Sequence, residues 1–198
     1  MLKRFSLALL LITSLATHNA RAAAVNYEVD AAHSTVGFAV PILGGLSQVK
    51  GKFSDFTATI VYDEADITKS SVTATIKTAS IDTGIERRDA HLRNADFFEV
   101  EKYPEITFQS KRVERRGKDF VAVGTFTMHG VSKEISVPFA KTGQFKNPAN
   151  NKMVVGFSAT MMINRRDYGI TYSNRANPTF IGDEVKIELS MITKPSET

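Results

Sequence analysis

Apolar and polar residues alternate with a period of two along most of the chain, which is typical of strands with one buried face. Turn-forming residues separate these segments, so neighbouring strands are expected to run antiparallel. The pattern predicts eight or nine strands: Ser34–Pro41, Gln48–Asp55, Thr57–Tyr62, Ser71–Ala79, one that begins at Pro104, Asp119–Met128, Glu134–Thr142, Lys152–Asn164 and Glu184–Ile192. Closure into a barrel leaves no exposed edges. We therefore predict an all-β, up-and-down antiparallel barrel of about eight strands, with a Greek-key β-sandwich as the competing architecture.

One segment, Glu86–Phe98, has a helical period instead, and it interrupts the barrel between the fourth and fifth predicted strands. Thr83 and Glu86 have the spacing of a capping box, with Thr83 as the N-cap, and Asp96–Glu99 resembles a second, shorter one. Arg93 follows Asp89 by four residues, so the two can pair along the helix. One helical face would carry two carboxylates and two aliphatic side chains: Ile85, Asp89, Leu92 and Asp96.

The inward-facing positions of the strands predict an apolar lining. These positions are Phe38, Phe53, Ile76, Phe108, Phe126, Phe139, Phe157 and Ile163, with Leu92 and Phe97 near one end. Small residues alternate with these rings at Ala74, Gly124 and Ala159. Two interpretations remain open: the side chains interdigitate and fill the barrel, or they surround an elongated cavity for a single ligand.

The first residues have the pattern of an export signal. Lys3 and Arg4 precede an apolar stretch, Phe5–Ala16, that is too short to span a bilayer, and Ala20-Arg21-Ala22 fits a cleavage site. We predict a cleaved signal peptide, 1–22, and a single domain, 23–198, in the bacterial periplasm, without a stable membrane anchor. An uncleaved, retained anchor is the alternative. The chain has no cysteine, so disulfide and thiolate chemistry are excluded.

The basic net charge of +4 belongs mostly to the predicted signal peptide. Without Lys3, Arg4 and Arg21, 22 basic residues face 21 acidic ones. The basic run from Lys111 to Arg116 flanks a turn, as solvated hairpin ends often do. With neither a basic face nor a stacking platform, the sequence does not predict nucleic-acid binding.

Candidate catalytic and metal-binding groups are scattered. His33, His91 and His129 lie in three separate segments without the short spacing of paired metal ligands. We expect structural roles: His33 beside Asp30, His129 in a hairpin turn, and His91 bonded to loop backbone. The serines show no nucleophile-elbow motif, and two carboxylates near arginines are more typical of ion pairs. The sequence therefore predicts no enzyme, no metal and no cofactor.

Several motifs, in their order and spacing, closely resemble the YceI-like family. They are Asp30–Ser34, Val36–Phe38, Gly51–Phe53, Arg88–Phe98, Tyr103–Phe108, Gly124–Val131 and Ile163–Gly169. The resemblance implies a periplasmic, lipocalin-like barrel whose channel takes a long isoprenoid or similar acyl chain, with the helical insertion near one barrel end. It extends the ligand classes to quinone-like lipids, fatty amides and fatty acids, and it implies no catalytic role.

A polar network is expected at one rim of the barrel, built from Asp89, Arg93, Asn164 and Arg165. It either braces the helix or binds a ligand head group. Our main hypothesis is a lipid-binding barrel that stores, sequesters or transports a long chain. A packed barrel that serves in stress response or protein interaction is the alternative, and a metal-assisted or acid–base enzyme is a third. Strand edges or barrel mouths could also support a homodimer.

Overall fold

A computed structural model describes residues 24–196, within which eleven strands and one α-helix are found. The predicted signal peptide, 1–22, lies outside the described residues. The strands are β1 Val25–Val29, β2 Thr35–Ile42, β3 Ser47–Phe53, β4 Phe56–Tyr62, β5 Ser71–Lys77, β6 Ile81–Asp82, β7 Glu105–Arg116, β8 Asp119–Met128, β9 Val131–Lys146, β10 Met153–Asn164 and β11 Glu184–Pro195. Helix α1, Glu86–Arg93, lies between β6 and β7.

The strands form one antiparallel sheet that closes on itself. Its order is β1-β4-β5-β7-β8-β9-β10-β11, and β1 pairs back onto β11. The other three strands continue this cylinder: β2 pairs with β11 beyond β1, β3 pairs with β2, and β6 pairs with β3. The pairs β1/β2, β3/β4 and β5/β6 therefore each act as one interrupted strand. Eight long strands result in up-and-down order, which confirms the predicted barrel and excludes the sandwich.

Short polar turns interrupt the long strands. Between β1 and β2, the Asp30 carboxylate accepts a hydrogen bond from the backbone N–H of Ala32 (3.1 Å) and contacts His33 Nδ1 (2.8 Å). This 3-10 turn, Ala31–His33, redirects the chain without breaking the line of the barrel wall. His33 thus occupies the polar corner that the sequence predicted. Strand β1 was not predicted, because it is only five residues long.

Helix α1 starts at Glu86, as the periodic segment predicted, but its cap and its end differ from the prediction. Its N-cap is Ile85, which offers no side-chain cap, so the predicted Thr83 capping box is wrong. The second box, Asp96–Glu99, is also wrong, because those residues form turns and Glu99 has a φ of 46°. The helix is eight residues long and ends at Arg93, so Asp96 lies beyond it.

The inward faces of the strands converge on one large apolar cluster. It includes Val36, Phe53, Ile81, Ile106 and Phe126, each no more than 7% exposed. A smaller cluster around Tyr27 and Tyr62 occupies the region where β1 and β4 pair. Burial of these side chains is the main favourable term that holds the barrel together. Between them the wall surrounds a space.

Candidate ligand-binding cavity

The barrel encloses a cavity of about 550 Å³. This volume lies within the range of typical small-molecule sites, roughly 300–1,000 Å³. All ten residues predicted to line the barrel lie on its wall: Phe38, Phe53, Ile76, Leu92, Phe97, Phe108, Phe126, Phe139, Phe157 and Ile163. The interior is therefore not filled by side chains, which resolves the question that the sequence left open.

Small side chains widen the cavity at the middle of the wall. Ala58 and Ala74 are direct cross-strand partners on β4 and β5, and both face the cavity. Ala159 on β10 does the same. At Gly124 the neighbouring backbone excludes any side chain. A Cβ there would lie 2.3 Å from the carbonyl oxygen of Gln109, close to a bulge in β7.

Aromatic rings pack across one end of the barrel. Tyr62 meets Phe157 edge to face with ring centroids 5.5 Å apart, and Phe139 lies 6.3 Å from Phe157. Tyr27 and Val155 complete this buried cluster. An apolar chain inside the cavity would therefore point its end at these rings.

The opposite end lies beneath the segment that contains α1. Leu92, Phe97 and Phe98 face the cavity there, and Phe98 packs edge-on against Phe53 at 5.8 Å. The loop after β10 contributes Tyr172, whose ring centroid lies 4.8 Å from that of Phe97. Helix, loop and the β2–β3 hairpin thus form the rim at this end, which we call the mouth.

His91 lies at the mouth of the cavity. Its Nε2 lies 2.8 Å from a carboxylate oxygen of Asp96, and its ring packs edge-on against Phe97 (5.1 Å) and Tyr172 (5.2 Å). The expected bond to loop backbone is wrong, because the turn after α1 brings Asp96 back to the imidazole. His91 belongs to the cavity wall.

Asp89 anchors the start of the helix instead of pairing with Arg93. The carboxylate is 4% exposed, and its Oδ1 accepts hydrogen bonds from the backbone N–H (3.0 Å) and the hydroxyl of Thr83. Arg88 completes this cluster, since its Nε donates to Thr83 Oγ1 (2.7 Å) and its Nη2 donates to the Thr83 carbonyl (2.8 Å). Thr83 is therefore held by two side chains of the helix that it was predicted to cap.

Arg93 ties the end of the helix to the barrel wall. Its Nε and Nη2 donate to the carbonyl oxygens of Ala79 (2.9 Å) and Ile81 (3.0 Å), and its Nη1 lies 3.4 Å from Glu86. Within residues 24–196, no ion pair joins Arg93 to Asp89. The predicted pair is wrong because Arg93 bonds to these carbonyls, which lie in and just before strand β6.

Asn164 and Arg165 stabilise a different part of the rim. The Asn164 side chain accepts from the Arg166 N–H (3.0 Å) and donates to Glu184 (2.9 Å). Arg165 is 4% exposed and donates to the carbonyls of Ile170 (2.8 Å) and Gly182 (3.0 Å) and to Asp183 (2.7 Å).

Desolvation lowers the pKa of the Arg165 guanidinium, and the charge of Asp183 opposes that shift. Of the four residues predicted for one rim network, only Arg165 lines the cavity.

The sequence did not single out other polar groups at the mouth. Arg88 and Asn174 lie on the wall beside His91 and Tyr172. Arg88 belongs to the Arg88–Phe98 motif that resembles the YceI-like family, so this resemblance could have indicated its place in the site. Asn174 lies in an irregular loop whose path no periodicity predicts.

His129 lies outside the cavity wall, in the predicted β8–β9 turn, with a φ of 51°. Its Nδ1 lies 3.1 Å from the Tyr168 carbonyl, and Tyr103 packs against its ring at 4.3 Å. Across residues 24–196, no three His, Asp or Glu side chains come together as a set of metal ligands.

The helices described by the structure are all too short or too polar to cross a bilayer.

Comparisons with protein-family models and with known sequences identify related proteins of one family. The model of the YceI-like domain matches residues 27–192. A UPF0312 protein of Pectobacterium atrosepticum is 36% identical over 172 residues, covering 86% of this chain and 88% of the relative.

Two solved structures share the fold. A YceI protein from Campylobacter jejuni has a TM-score of 0.67 and 32% identity, covering 77% of this chain and 88% of that one. A domain from Saccharophagus degradans, described as polyisoprenoid-binding, has a TM-score of 0.64 and 18% identity, covering 87% of this chain and 99% of that one. With the family model matched over nearly all of the described barrel, the chain belongs to the YceI-like family.

Proposed function

We propose that this protein binds a long isoprenoid chain in its barrel and carries or stores it in the periplasm. The observation that supports this proposal most directly is the apolar cavity of about 550 Å³, whose wall includes ten phenylalanine side chains among mostly aliphatic ones. An apolar tube excludes hydrated or highly charged ligands, because their polar groups would lose hydration without gaining partners. It accepts a flexible hydrocarbon along its whole length.

The energetics favour a long ligand over a short one. Burial of each CH₂ contributes about 0.8 kcal/mol, whereas association costs on the order of 4–15 kcal/mol. A five-carbon tail barely offsets the low end of that cost. A chain of about fifteen carbons gains roughly 12 kcal/mol and can bind with few polar contacts. The cavity thus selects for length and shape.

The family relationship supports the same ligand class. The Saccharophagus domain, described as polyisoprenoid-binding, shares the barrel, although at 18% identity that likeness concerns the fold alone. A quinone-like lipid, a fatty amide or a fatty acid has the same build, a long apolar chain with one polar end. We propose binding rather than catalysis, since the carboxylates and imidazoles near the cavity bond to one another or to the chain that they brace.

We place the polar end of the ligand at the mouth. His91 and Asn174 lie on the wall there, as does Arg88, whose Nη1 is not used in its two bonds to Thr83. Aromatic rings pack across the opposite end. Asp89 bonds to Thr83, and Arg93 bonds to Ala79 and Ile81, and neither lines the cavity, so we assign them the bracing role. The sequence left that choice open.

The competing hypothesis of a packed barrel requires a solid interior, so the cavity of about 550 Å³ supports the lipid-binding proposal over it. Export rests on the pattern of residues 1–22 alone, and N-terminal sequencing of the protein recovered from the periplasm would test it. Cleavage after Ala22 predicts an N-terminus at Ala23.

Native mass spectrometry after mild purification tests the main proposal. We expect a bound lipid to co-purify, and we expect added polyprenyl alcohols to raise the melting temperature of lipid-free protein. Ala74→Phe, which places a ring inside the cavity, should weaken this effect. Outward-facing Thr73→Phe on the same strand is the control. If no lipid co-purifies and added polyprenyl compounds leave the melting temperature unchanged, the proposal fails.

A further inference from the structure

The tip of the β2–β3 hairpin, residues 42–46, exposes two leucine side chains. Leu46 is 88% exposed and Leu43 is 44% exposed. A single exposed leucine is common on soluble proteins. Here, however, two lie on one short turn, and that turn belongs to the rim of an apolar cavity.

The apolar surface of the tip is continuous with the cavity wall. Val40, Ile42 and Val49 of the same hairpin face the cavity. Moving outward along the hairpin, the chain therefore passes from lining residues directly to Leu43 and Leu46. Contiguous exposed apolar surface of this kind marks sites of interaction rather than ordinary solvent-facing surface.

Backbone hydrogen bonds fix the tip against the neighbouring loop. The Leu43 N–H donates to the Phe180 carbonyl (2.8 Å), and the Gly182 N–H donates to the Pro41 carbonyl (2.8 Å). Ile42 also forms an isolated bridge with Ile181. Because the β2 side of the tip is bonded to this loop at three successive residues, the tip has a defined position beside the mouth.

Leu43 also has a backbone conformation that leucine rarely adopts. Its φ is 55°, and the next two residues, Gly44 and Gly45, have φ values of 66° and 94°. A branched, bulky residue in the left-handed region is strained. Its side chain is exposed, so little packing within the barrel compensates. A residue that costs stability in water but gains from an apolar environment is typical of an interaction surface.

The charge around the tip indicates which surface it meets. The segment from Ala39 to Lys52 carries Lys50 and Lys52, both exposed, and no acidic residue of its own. Acidic residues of neighbouring strands lie beside them, because Lys52 pairs with Asp82 and Lys50 interacts with Glu188. The loop from Thr171 to Ile181, which bonds to the tip, adds the exposed Arg175 and has no acidic residue. Exposed leucines flanked by basic side chains match a bilayer interface, where apolar groups enter the acyl region and cations meet anionic head groups.

We infer that the β2–β3 tip docks the mouth of the barrel onto a lipid bilayer that contains anionic phospholipids. This inference rests on the proposed lipid-binding function. Docking lets the hydrocarbon chain pass between bilayer and cavity without crossing water. It requires only shallow insertion of Leu43 and Leu46, with Lys50 and Arg175 against the head groups.

Co-sedimentation with vesicles tests the inference. The wild-type protein should bind vesicles of phosphatidylglycerol and phosphatidylethanolamine, and it should bind pure phosphatidylcholine vesicles more weakly. Raising the salt concentration should weaken the binding. The double variant Leu43→Asn, Leu46→Ser should reduce binding by at least about tenfold, given the gain expected from burying two leucines. Asn suits the left-handed conformation, so the turn is retained.

Phe145→Ser is the matched control. Phe145 is 63% exposed and pairs with Val154 near the opposite end of β10 from the mouth. Its loss should leave vesicle binding unchanged. Equal binding by the wild type and the double variant, or an equal loss in the Phe145 variant, would overturn the inference. A change in oligomeric state of the double variant by light scattering would also overturn it, because the tip would then join two copies.

A second measurement separates docking from ligand binding. Polyprenyl alcohol added from ethanol should raise the melting temperature of the double variant as much as that of the wild type. If vesicle binding is lost while this shift is retained, docking and ligand binding are both supported. If the wild type shows vesicle binding but no shift, the proposed function fails and docking stands.

Discussion

The Phe38 ring lies directly against the backbone of Gly51, its cross-strand partner on β3. A Cβ at Gly51 would lie 2.4 Å from Phe38 Cζ and 2.8 Å from Thr83 Cγ2. Both distances are far below ordinary contact. The glycine therefore allows the ring to lie on the cavity wall below Thr83, and it couples the lining to the segment that starts α1.

Gly51→Ala should force Phe38 out of this position. We expect the free energy of unfolding to fall by about 1–3 kcal/mol, as in other overpacked cores, in urea titrations. Gly143→Ala is the control, since nothing lies within 4 Å of a Cβ there. A Gly51 variant as stable as the Gly143 variant would show that the ring moves freely.

Asp89→Ala should release the start of α1. The buried carboxylate accepts two hydrogen bonds from Thr83, and leaving buried polar groups unpaired costs about 1–3 kcal/mol. We expect a loss of that size in the free energy of unfolding. Asp89→Asn should lose less, because its side-chain oxygen still accepts.

Asp96→Ala is the control for this segment, because its pair with His91 is exposed. We expect a change of less than about 1 kcal/mol. A double-mutant cycle of Asp89→Ala with Thr83→Val should show coupling between the two sites. Additive losses would argue against the direct bond.

Stability should decline at acid pH. The pKa of Glu114 is lowered from its ordinary 4.5, mainly by a hydrogen bond from Arg112 and to a smaller extent by one from Arg116. A hydrogen bond from Lys111 lowers the pKa of Glu134 from the same ordinary value. The folded state therefore binds protons at these two carboxylates less readily than the unfolded state does. Their contribution to the free energy of unfolding is complete above about pH 4.5 and is lost as the pH falls through the lower pKa values of the folded state.

Urea titrations between about pH 3 and 6 measure this effect. Glu134 is exposed and Glu114 is partly exposed, so salt at about 1 M should flatten the profile, and Glu114→Gln should reduce the slope. A slope that Glu114→Gln leaves unchanged would show that other groups dominate.

Leu43→Asn should stabilise the fold on its own. The φ of 55° strains leucine, whereas asparagine tolerates the left-handed region, so we expect a gain of about 0.5–1 kcal/mol in the free energy of unfolding. Leu46→Asn, at an exposed position whose φ is −65°, should give no such gain. If both variants behave alike, strain at Leu43 is not the cause.

The strand periodicity predicted the cavity wall well, because a two-residue repeat determines which side chains face inward once the sheet closes. Phe108 and Phe126, for example, are cross-strand partners that both line the cavity. Periodicity separated β3 from β4, but it missed the short strands β1 and β6 and therefore the other two interruptions. The turn at Ala31–His33 keeps β1 in line with β2. This alignment is evident only from the structure, in which both strands pair with β11.

The helical segment was predicted less accurately, because its contacts are tertiary. Sequence spacing placed Thr83 as a cap and Arg93 beside Asp89. In the fold, Thr83 instead donates to Asp89, and Arg93 donates to the carbonyls of Ala79 and Ile81. A hydrogen-bond acceptor on a neighbouring strand leaves no signal in local spacing, so the roles of these groups required the structure.

The binding of polyprenyl alcohols of increasing length, from two to eight isoprene units, tests the central claim most directly. Since each buried carbon contributes about 0.8 kcal/mol, affinity should rise by at least about tenfold per unit until the cavity is full, and then level off. Ala74→Phe should move this plateau to shorter chains, while Thr73→Phe should not. Affinity that is independent of chain length, or a plateau that Ala74→Phe leaves in place, would contradict binding inside the barrel.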